Sequence, residues 1–548
     1  MSKTKEKHNY VQGAAILTVG VIIMKVLGAI YKIPLGNILG DEGYSMFMGA
    51  YNIYYIFFTL ATAGLPVALS RLIAESDANG RVKNEEKTFR VARWTFFAIG
   101  MVFALIMFLF PQWLAAEYLE NPDAAMSVKA MSPAILLVCI VSAYRGYFQG
   151  NSNMLPTTVD EVLEVLFKVI SGLILSYVII KSTHSLPLGS AGAILGVSIG
   201  SVVSLSYMII YKCRHEAQLA APYTGGRALD DTPADDDVVD SAGKIVKDIF
   251  RIGVPIAFGA CIMALLNSVD SKLCMDRLQN AAGFSYKEAK VLYGVYGKGQ
   301  TLFNLPAAFV TPLTISIVPA ISGAIAKGAK REAAKVSEDS LRISAVVSMP
   351  MGVGLAVLST PIFNMLFPRS HEAGPKLLCI MGIASFFVCF VLMENAILQA
   401  SGKEKYTMVT MITGGVVKIV VNWFLVANRS INIYGAPTGT LVSYFVMAAM
   451  NYIFMCSTLE NRPSLFKAFA RPAASSAIMG AAAWLIYSGC TRLFGAGGPA
   501  GAVVCLGIAI IAAVVVYVIA TISLRSITKE DVELIPGGEK LGKILKLR

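Results

Sequence analysis

Long apolar stretches, each broken by a short polar or charged turn, recur along the whole chain. A helix needs about 20 apolar residues to cross a hydrocarbon core of about 30 Å. By that measure about fourteen spans are expected, at 12–33, 45–71, 93–115, 128–149, 161–181, 190–211, 249–275, 291–320, 342–367, 376–400, 406–428, 434–457, 467–489 and 499–525. Two of these, 45–71 and 291–320, are long for one crossing. Pro66, Pro306, Pro312 and Pro319 lie inside them or near their ends, so tilts or kinks are expected there. The first stretch is too long for a signal peptide, carries Lys25 and has no A-x-A-like site after it, so it is expected to stay as the first span.

The longest polar segment is 212–247. It contains Asp230-Asp231-Thr232-Pro233-Ala234-Asp235-Asp236-Asp237, with Pro222 and Gly225-Gly226 just before. A metal-dependent glycosyltransferase also uses clustered Asp residues, but no folded domain accompanies these. A flexible linker is expected instead, with six spans before it and eight after.

The two sides of the linker resemble each other. Tyr147-Phe148-Gln149-Gly150 closes span four, and Ile397-Leu398-Gln399-Ala400-Ser401-Gly402 closes span ten. The following span carries Lys168 in one half and Lys418 in the other, and both lie 19 residues past the Gln (168−149 and 418−399). Gly192-Ala193 and Gly435-Ala436 then open the next span. Val67-Ala68-Leu69-Ser70 and Pro319-Ala320-Ile321-Ser322 end spans two and eight. Matches in the same order point to a duplicated six-helix bundle with parallel repeats, and substrate then binds between the two lobes. The last two spans are extra. Gly192, Gly196 and Gly200 form a small-residue stripe suited to close helix packing.

Composition agrees with the pattern. Only 15% of the 548 residues are charged and mean hydropathy is +0.63, against roughly 25% charged in soluble domains. The net charge of +12 is spread over many short loops. Lys and Arg favour the termini and the loops on the N-terminal side by roughly three to one, which places both termini in the cytoplasm. The charge therefore encodes topology and does not point to nucleic acid. The tail Glu539–Arg548 suits either a basic helix lying on anionic lipid or an ordinary solvated end. Nine cysteines without a C-x-x-C pair and four scattered histidines suggest neither a disulfide framework nor a metal site.

Charges inside spans cost about 2.5–3.5 kcal/mol each at the centre. Arg71, Arg145 and Arg251 lie near the cytoplasmic ends, and Lys32 and Lys272 near the outer ends, where snorkelling relieves them. Lys25, Lys168, Lys298 and Lys418 lie deeper and call for a watery cavity or a buried partner. The acids are Asp270, Glu161, Glu164 and Glu394. Glu161 is in reach of Arg145, and Glu164 is one turn from Lys168. Such acids serve either as buried ion pairs or in ion coupling. On spans one and eight cations exceed acids, so a cavity built there is positive and suits an anionic ligand.

Lys25-Val26-Leu27-Gly28-Ala29-Ile30-Tyr31-Lys32-Ile33-Pro34, then Leu39-Gly40-Asp41-Glu42-Gly43, then Ala63-Gly64-Leu65-Pro66-Val67-Ala68-Leu69-Ser70-Arg71, resemble the stage V sporulation protein B family, as does Leu534-Ile535-Pro536-Gly537-Gly538. That family belongs to the multidrug/oligosaccharidyl-lipid/polysaccharide exporter superfamily, alongside the lipid II flippases. The resemblance implies two six-helix lobes, a central cavity and alternating access for a polyprenyl-pyrophosphate glycan. It also implies cations in spans one, two and eight. Lys25 matches the first, Lys32 lies near the second, and Lys298 is about one turn from the expected place in span eight. Span two offers Tyr51, Tyr54 and Tyr55 and no cation.

The expected protein is thus an all-α polytopic membrane transporter and not an enzyme, with no cofactor and no metal. Its parts are a first lobe (1–211), a linker (212–247), a second lobe (248–457), two further spans (458–525) and a basic tail (526–548). Lys25, Lys32 and Lys298 would bind pyrophosphate. Tyr51, Asn52, Tyr55, Gln300 and Asn304 would contact sugars, with helix packing as their alternative role. Asp270, Glu161, Glu164, Lys168, Glu394 and Lys418 would couple an ion or form buried pairs. The expected partners are a lipid-linked oligosaccharide, with lipid II first and teichoic or capsular precursors as alternatives, the membrane lipids, and a monovalent cation or the membrane potential as driving force. No G-x-x-x-x-G-K-[ST] nucleotide site occurs. The rival within the same fold is a cation-coupled multidrug antiporter.

Overall fold

The computed structural model describes residues 3–220, 239–458, 462–493 and 498–526. Most of the linker and the basic tail lie outside the described residues. Among the described residues the chain is helical and contains no strand, as a polytopic α-helical chain requires, because lipid offers no partner to an unpaired backbone group.

The helices are α1 (Lys3–Thr62), α2 (Leu65–Ala78), α3 (Val82–Leu109), α4 (Ala125–Gly150), α5 (Leu155–Thr183), α6 (Leu186–Ala220), α7 (Ala242–Asp276), α8 (Tyr286–Phe303), α9 (Leu305–Ala326), α10 (Lys330–Val357), α11 (Ser359–Leu366), α12 (Gly374–Ala400), α13 (Glu404–Leu425), α14 (Gly435–Thr458), α15 (Leu465–Leu493) and α16 (Gly498–Ser523). Eleven helical segments among the described residues are long and apolar enough to cross a membrane. The expected number was higher because the first run, Ile23–Ala78, is one segment of 56 residues that contains two expected spans. The helices expected at 249–275 and 291–320 are also not among the eleven.

The two long spans break where the prolines predicted trouble. α1 ends at Thr62, and α2 begins with Pro66 in its first turn. α8 ends at Phe303, and α9 begins with Pro306 in its first turn. Proline lacks the N–H that an uninterrupted helix needs, so each chain restarts there. Gly64 sits at the first break because the carbonyl of Gly253 and the amide of Ala257 press against it, leaving no space for a Cβ. Within α1, Gly40 takes φ 66 and ψ −169, a conformation open mainly to glycine.

The contacts divide the chain into two compact units. Unit 1 holds the residues up to Tyr31 and Met46–Lys272. Unit 2 holds Lys32–Ser45 and the residues from Leu273 onward. α1 therefore contributes to both, and most of α7 is counted with unit 1.

Each unit, taken alone, has the same packing order. In unit 1, α2 packs on α3 and α4, α3 on α4, α4 on α6, and α5 on α6. In unit 2, α9 packs on α10 and α12, α10 on α12, α12 on α14, and α13 on α14. The duplication read from scattered residues is thus a duplication of helix neighbours. α15 and α16 pack on each other, and α15 also packs on α10.

The core of unit 1 gathers Leu65, Leu69, Ile73, Phe89, Phe96, Tyr144 and Phe148. Its rings meet edge-on or tilted, with Phe89 5.1 Å from Tyr144 and 4.9 Å from Tyr147. The glycine stripe of α6 lies against α5: Gly196 faces the backbone of Gly172 and Lys168, and Gly200 faces the carbonyl of Glu164. In lipid, such packing rests on van der Waals contact between backbones. Gly196→Val would insert side-chain atoms into that contact at an overpacking cost of about 1–3 kcal/mol. A lowered thermal unfolding midpoint of the purified protein is the expected result, with Gly28→Val, where no atom lies within 4 Å of a built Cβ, as the neutral control.

Candidate functional site

Asp41 is the hub of the best-connected polar site in unit 2. The Gly40 turn directs the chain so that the Asp41 carboxylate accepts from three donors. Lys298 Nζ lies at 2.5 Å, Ser370 Oγ at 2.6 Å and the His371 backbone N–H at 2.9 Å. Lys298 is 2% exposed. Its stem runs beside Gly36 and its ammonium lies 5.3 Å from the centre of the Phe367 ring.

The flanking residues fasten the same segment. Asn37 Nδ2 donates to the Leu366 carbonyl at 2.7 Å, and the Tyr44 and Thr301 hydroxyls are 3.0 Å apart. Glu42 pairs more loosely with Lys287 at 3.6 Å and Lys290 at 3.9 Å. Gly294 of α8 leaves space for the Asp41 carbonyl, where a Cβ would collide.

α8, which carries Lys298, starts from a capping box. Ser285 Oγ accepts from the Glu288 amide at 3.3 Å, and the Glu288 carboxylate accepts from the Ser285 amide at 2.9 Å. The Ser285 hydrogen bonds hold the Glu288 carboxyl below the usual carboxylate range.

The residues expected to bind the pyrophosphate and sugars fall in both units. Lys25, Tyr51, Asn52 and Tyr55 belong to unit 1, and Lys32, Lys298, Gln300 and Asn304 to unit 2. Lys25 and Tyr55 are exposed, and Lys32, Tyr51 and Asn52 are half-buried. Tyr51 and Tyr54 form part of an aromatic ladder on α1, with Tyr51 5.8 Å from both Phe47 and Tyr54, and Tyr54 5.5 Å from Phe58. Asn304 is exposed at the break between α8 and α9, where its side chain donates to the Gln300 carbonyl at 2.8 Å.

Unit 1 buries a second charged node. Arg145 of α4 meets Asp160 at 2.7 Å and Glu164 at 2.8 Å, with Glu161 at 3.9 Å. Ser201 donates to Glu164 at 3.3 Å, and Ser204 donates to Asp160. Two expectations change here. Arg145 does not snorkel, because it is 8% exposed and turned to the acids of α5. Glu164 turns to Arg145 in preference to Lys168 because the guanidinium fork meets two carboxylates one helical turn apart. Asp160 was not foreseen, although its spacing of four residues from Glu164 puts both on one face of α5.

The remaining acids and cations are dispersed. Asp270 is buried in unit 1, and Lys272 donates to the Glu117 carbonyl at 3.0 Å. Lys168 and Lys418 are half-buried on α5 and α13. Glu394 of α12 is completely buried. Among the described residues no group of three or more His, Cys, Asp or Glu is placed to hold a metal ion.

Residues 10–325 match the family described as polysaccharide biosynthesis protein. The chain belongs to that family. Residues 290–424 also match the MatE family, which places the protein in the multidrug/oligosaccharidyl-lipid/polysaccharide exporter superfamily. The uncharacterized membrane protein YabM of Bacillus subtilis (strain 168) is 26% identical over 99% of this chain and 98% of its own. The lipid II flippase MurJ of the same organism is 25% identical over 81% and 82%, and stage V sporulation protein B is 23% identical over 81% and 83%. Among solved structures, the lipid II flippase MurJ in an inward closed conformation superposes with TM-score 0.65 at 14% identity, covering 93% of this chain and 99% of that one. The fold is therefore that of this superfamily, and the protein is a multi-pass membrane transporter.

Two outcomes follow from the geometry. Removing one partner of a buried ion pair costs about 3–5 kcal/mol, whereas neutral replacement of both is often tolerated. Lys298→Met alone is expected to lower the unfolding midpoint of the purified protein, and Asp41→Asn with Lys298→Met is expected to recover most of the loss. The Glu288 cap contributes fully above the usual carboxylate range and fades as pH falls through the lowered value. Protection factors of the amides at the start of α8, taken relative to the intrinsic exchange rate at each pH, should then fall at acid pH in the wild type and not in Glu288→Gln.

Proposed function

We propose that this transporter flips a polyprenyl-pyrophosphate-linked glycan from the inner to the outer leaflet of the bacterial cytoplasmic membrane by alternating access, with both termini in the cytoplasm. Lipid II is the cargo the reading favours, and teichoic or capsular precursors are the alternatives. Lys25, Lys32 and Lys298 bind the pyrophosphate as point charges. Tyr51, Asn52, Tyr55, Gln300 and Asn304 contact the sugars, and the prenyl tail stays in lipid.

The observation that carries this reading is the environment of Asp41. An ammonium, a hydroxyl and a backbone N–H surround its carboxylate. That donor set suits an oxyanion, and a phosphate oxygen uses the same donors. Asp41 occupies the set when no cargo is present, and an arriving diphosphate competes for Lys298. The similarity to a lipid II flippase over most of the chain supports the choice of anion.

Moving one charge through the membrane field is worth about 2.3 kcal/mol per 100 mV. An anionic headgroup moving outward from a negative interior runs downhill, and the emptied basic site is drawn back inward. The rival reading, a cation-coupled multidrug antiporter, takes its support from the MatE match, which covers the buried acid Glu394.

The test measures lipid II headgroups at the outer leaflet of cells depleted of this protein, using an impermeant enzyme that cleaves exposed precursor. Loss of cleavable product, restored by the wild type and not by Lys25→Ala, is the expected result. Restoration by Lys25→Ala equal to the wild type would remove the basic-site mechanism. Unchanged exposure in cells lacking any other flippase would remove lipid II as the cargo.

A further inference from the structure

Two cavities of opposite character lie along one seam of unit 1, where α7 meets α2 and α3. The seam rests on apolar packing in which Ile245 and Ile249 of α7 join Leu65, Leu69 and Ile73 of α2. Asn84 of α3 fastens its polar end. Asn84 Nδ2 donates to Ser76 Oγ at 3.1 Å, and Asn84 Oδ1 accepts from the Asp240 amide, just before α7, at 2.8 Å.

At that end is a cavity of about 150 Å³ whose lining includes Glu75, Arg81, Thr88, Lys244 and Asp248. Lys244 already has a counterion, since its ammonium meets Asp240 at 2.6 Å. One guanidinium, Arg81, then shares the cavity with the carboxylates of Glu75 and Asp248. Arg81 Nε is buried and has no acceptor among the described residues. The two acids repel a simple anion, and a simple cation does nothing for Arg81. A zwitterion with a phosphate and an ammonium meets both signs at once.

The second cavity is larger, about 300 Å³, and apolar, with Leu65, Ile99, Val102, Phe103, Val254 and Phe258 in its lining. Val102 and Phe258 are exposed. Val254 lies ten residues beyond Lys244 on α7 (254−244), or ~15 Å of helix, and Ile99 lies eleven beyond Thr88 on α3 (99−88), or ~16 Å. Between these levels α3 carries Trp94, 62% exposed, a side chain suited to the membrane–water boundary. One leaflet measures about 20 Å from headgroup surface to midplane. The polar cavity thus stands at headgroup level, and the apolar cavity at the depth of the acyl chains of the same leaflet.

We propose that this seam binds one molecule of phosphatidylethanolamine. Its phosphate accepts from Arg81, its ammonium donates to Glu75 and Asp248, and one acyl chain fills the apolar cavity. Phosphatidylcholine has the same charge but no N–H to donate, and phosphatidylglycerol brings no cation to the acids. The bound lipid touches α2, α3 and α7 together. It therefore braces the α1–α2 break, where Gly64 packs against the Gly253 carbonyl, whatever the cargo.

The test uses the full chain, delipidated in detergent, with phosphatidylethanolamine, phosphatidylcholine and phosphatidylglycerol of identical acyl chains. Native mass spectrometry counts bound lipid, and the unfolding midpoint reports stabilisation. The expected result is a one-to-one phosphatidylethanolamine adduct that raises the midpoint, with weaker binding of the other two lipids. Arg81→Gln should weaken the adduct about tenfold, equivalent to about 1.4 kcal/mol. Val102→Phe, which fills the apolar cavity from an exposed position, should weaken it as well. The lipid-free midpoints of both variants should match the wild type, because neither side chain belongs to the packed core. Equal binding of all three lipids would overturn the proposal by showing ordinary annular lipid. An adduct that survives both substitutions would overturn it by placing the lipid elsewhere. Equal stabilisation by soluble glycerophosphoethanolamine, with Val102→Phe without effect, would show a headgroup site that takes no lipid and would overturn it too.

Discussion

A charge inside the hydrocarbon layer has no water to turn to, so every ionised group that the helices bury must find its counterpart on another helix. This constraint accounts for the best-ordered polar sites in the molecule. Lys298 is tolerable at 2% exposure because Asp41 reaches it at 2.5 Å. Arg145 is tolerable because Asp160 and Glu164 bracket it. Each pair joins two different helices, so each also fixes where those helices lie within their own unit. Asp41 ties residues 32–45 to α8 and to the turn after α11. Arg145 ties α4 to α5, and the serines of α6 complete the node.

The duplication shows how one scaffold carries different chemistry. The helix neighbours repeat between the units, and so do the proline-driven restarts at Pro66 and Pro306. These features depend on backbone geometry and close packing, which tolerate few alternatives. The polar node that the third helix of each packing set makes with its neighbours differs between the units. One unit sets an arginine against carboxylates. The other carries an amide pair beside the buried Glu394.

A transporter must also let such contacts open. The Asp41 carboxylate is held by hydrogen bonds and one ion pair, contacts that the proposed anionic cargo would replace with its own oxygens. Its neighbours bind more loosely, with Glu42 at 3.6 and 3.9 Å from its lysines. Rigid packing within units and exchangeable polar contacts at the hub are the combination that the proposed alternating access demands.

Much of this was legible in the sequence, because hydropathy, proline and glycine act locally. The apolar runs and scarce charge determined a polytopic helical protein, the prolines marked both broken spans, and the Gln–Lys spacing disclosed the repeat. Lys298 was recognisable as too deep to be left alone. Its counterpart was not, since Asp41 lies 257 residues away and nothing in a linear pattern encodes that pairing. Glu164 had a lysine one turn away, yet the fold brought Arg145 closer with better geometry, and Asp160 acquired its role only through that contact. The sequence alone determined which residues could not face lipid unpartnered. Only the tertiary structure decided which partners they found, because burial and counterion are properties of neighbours in space.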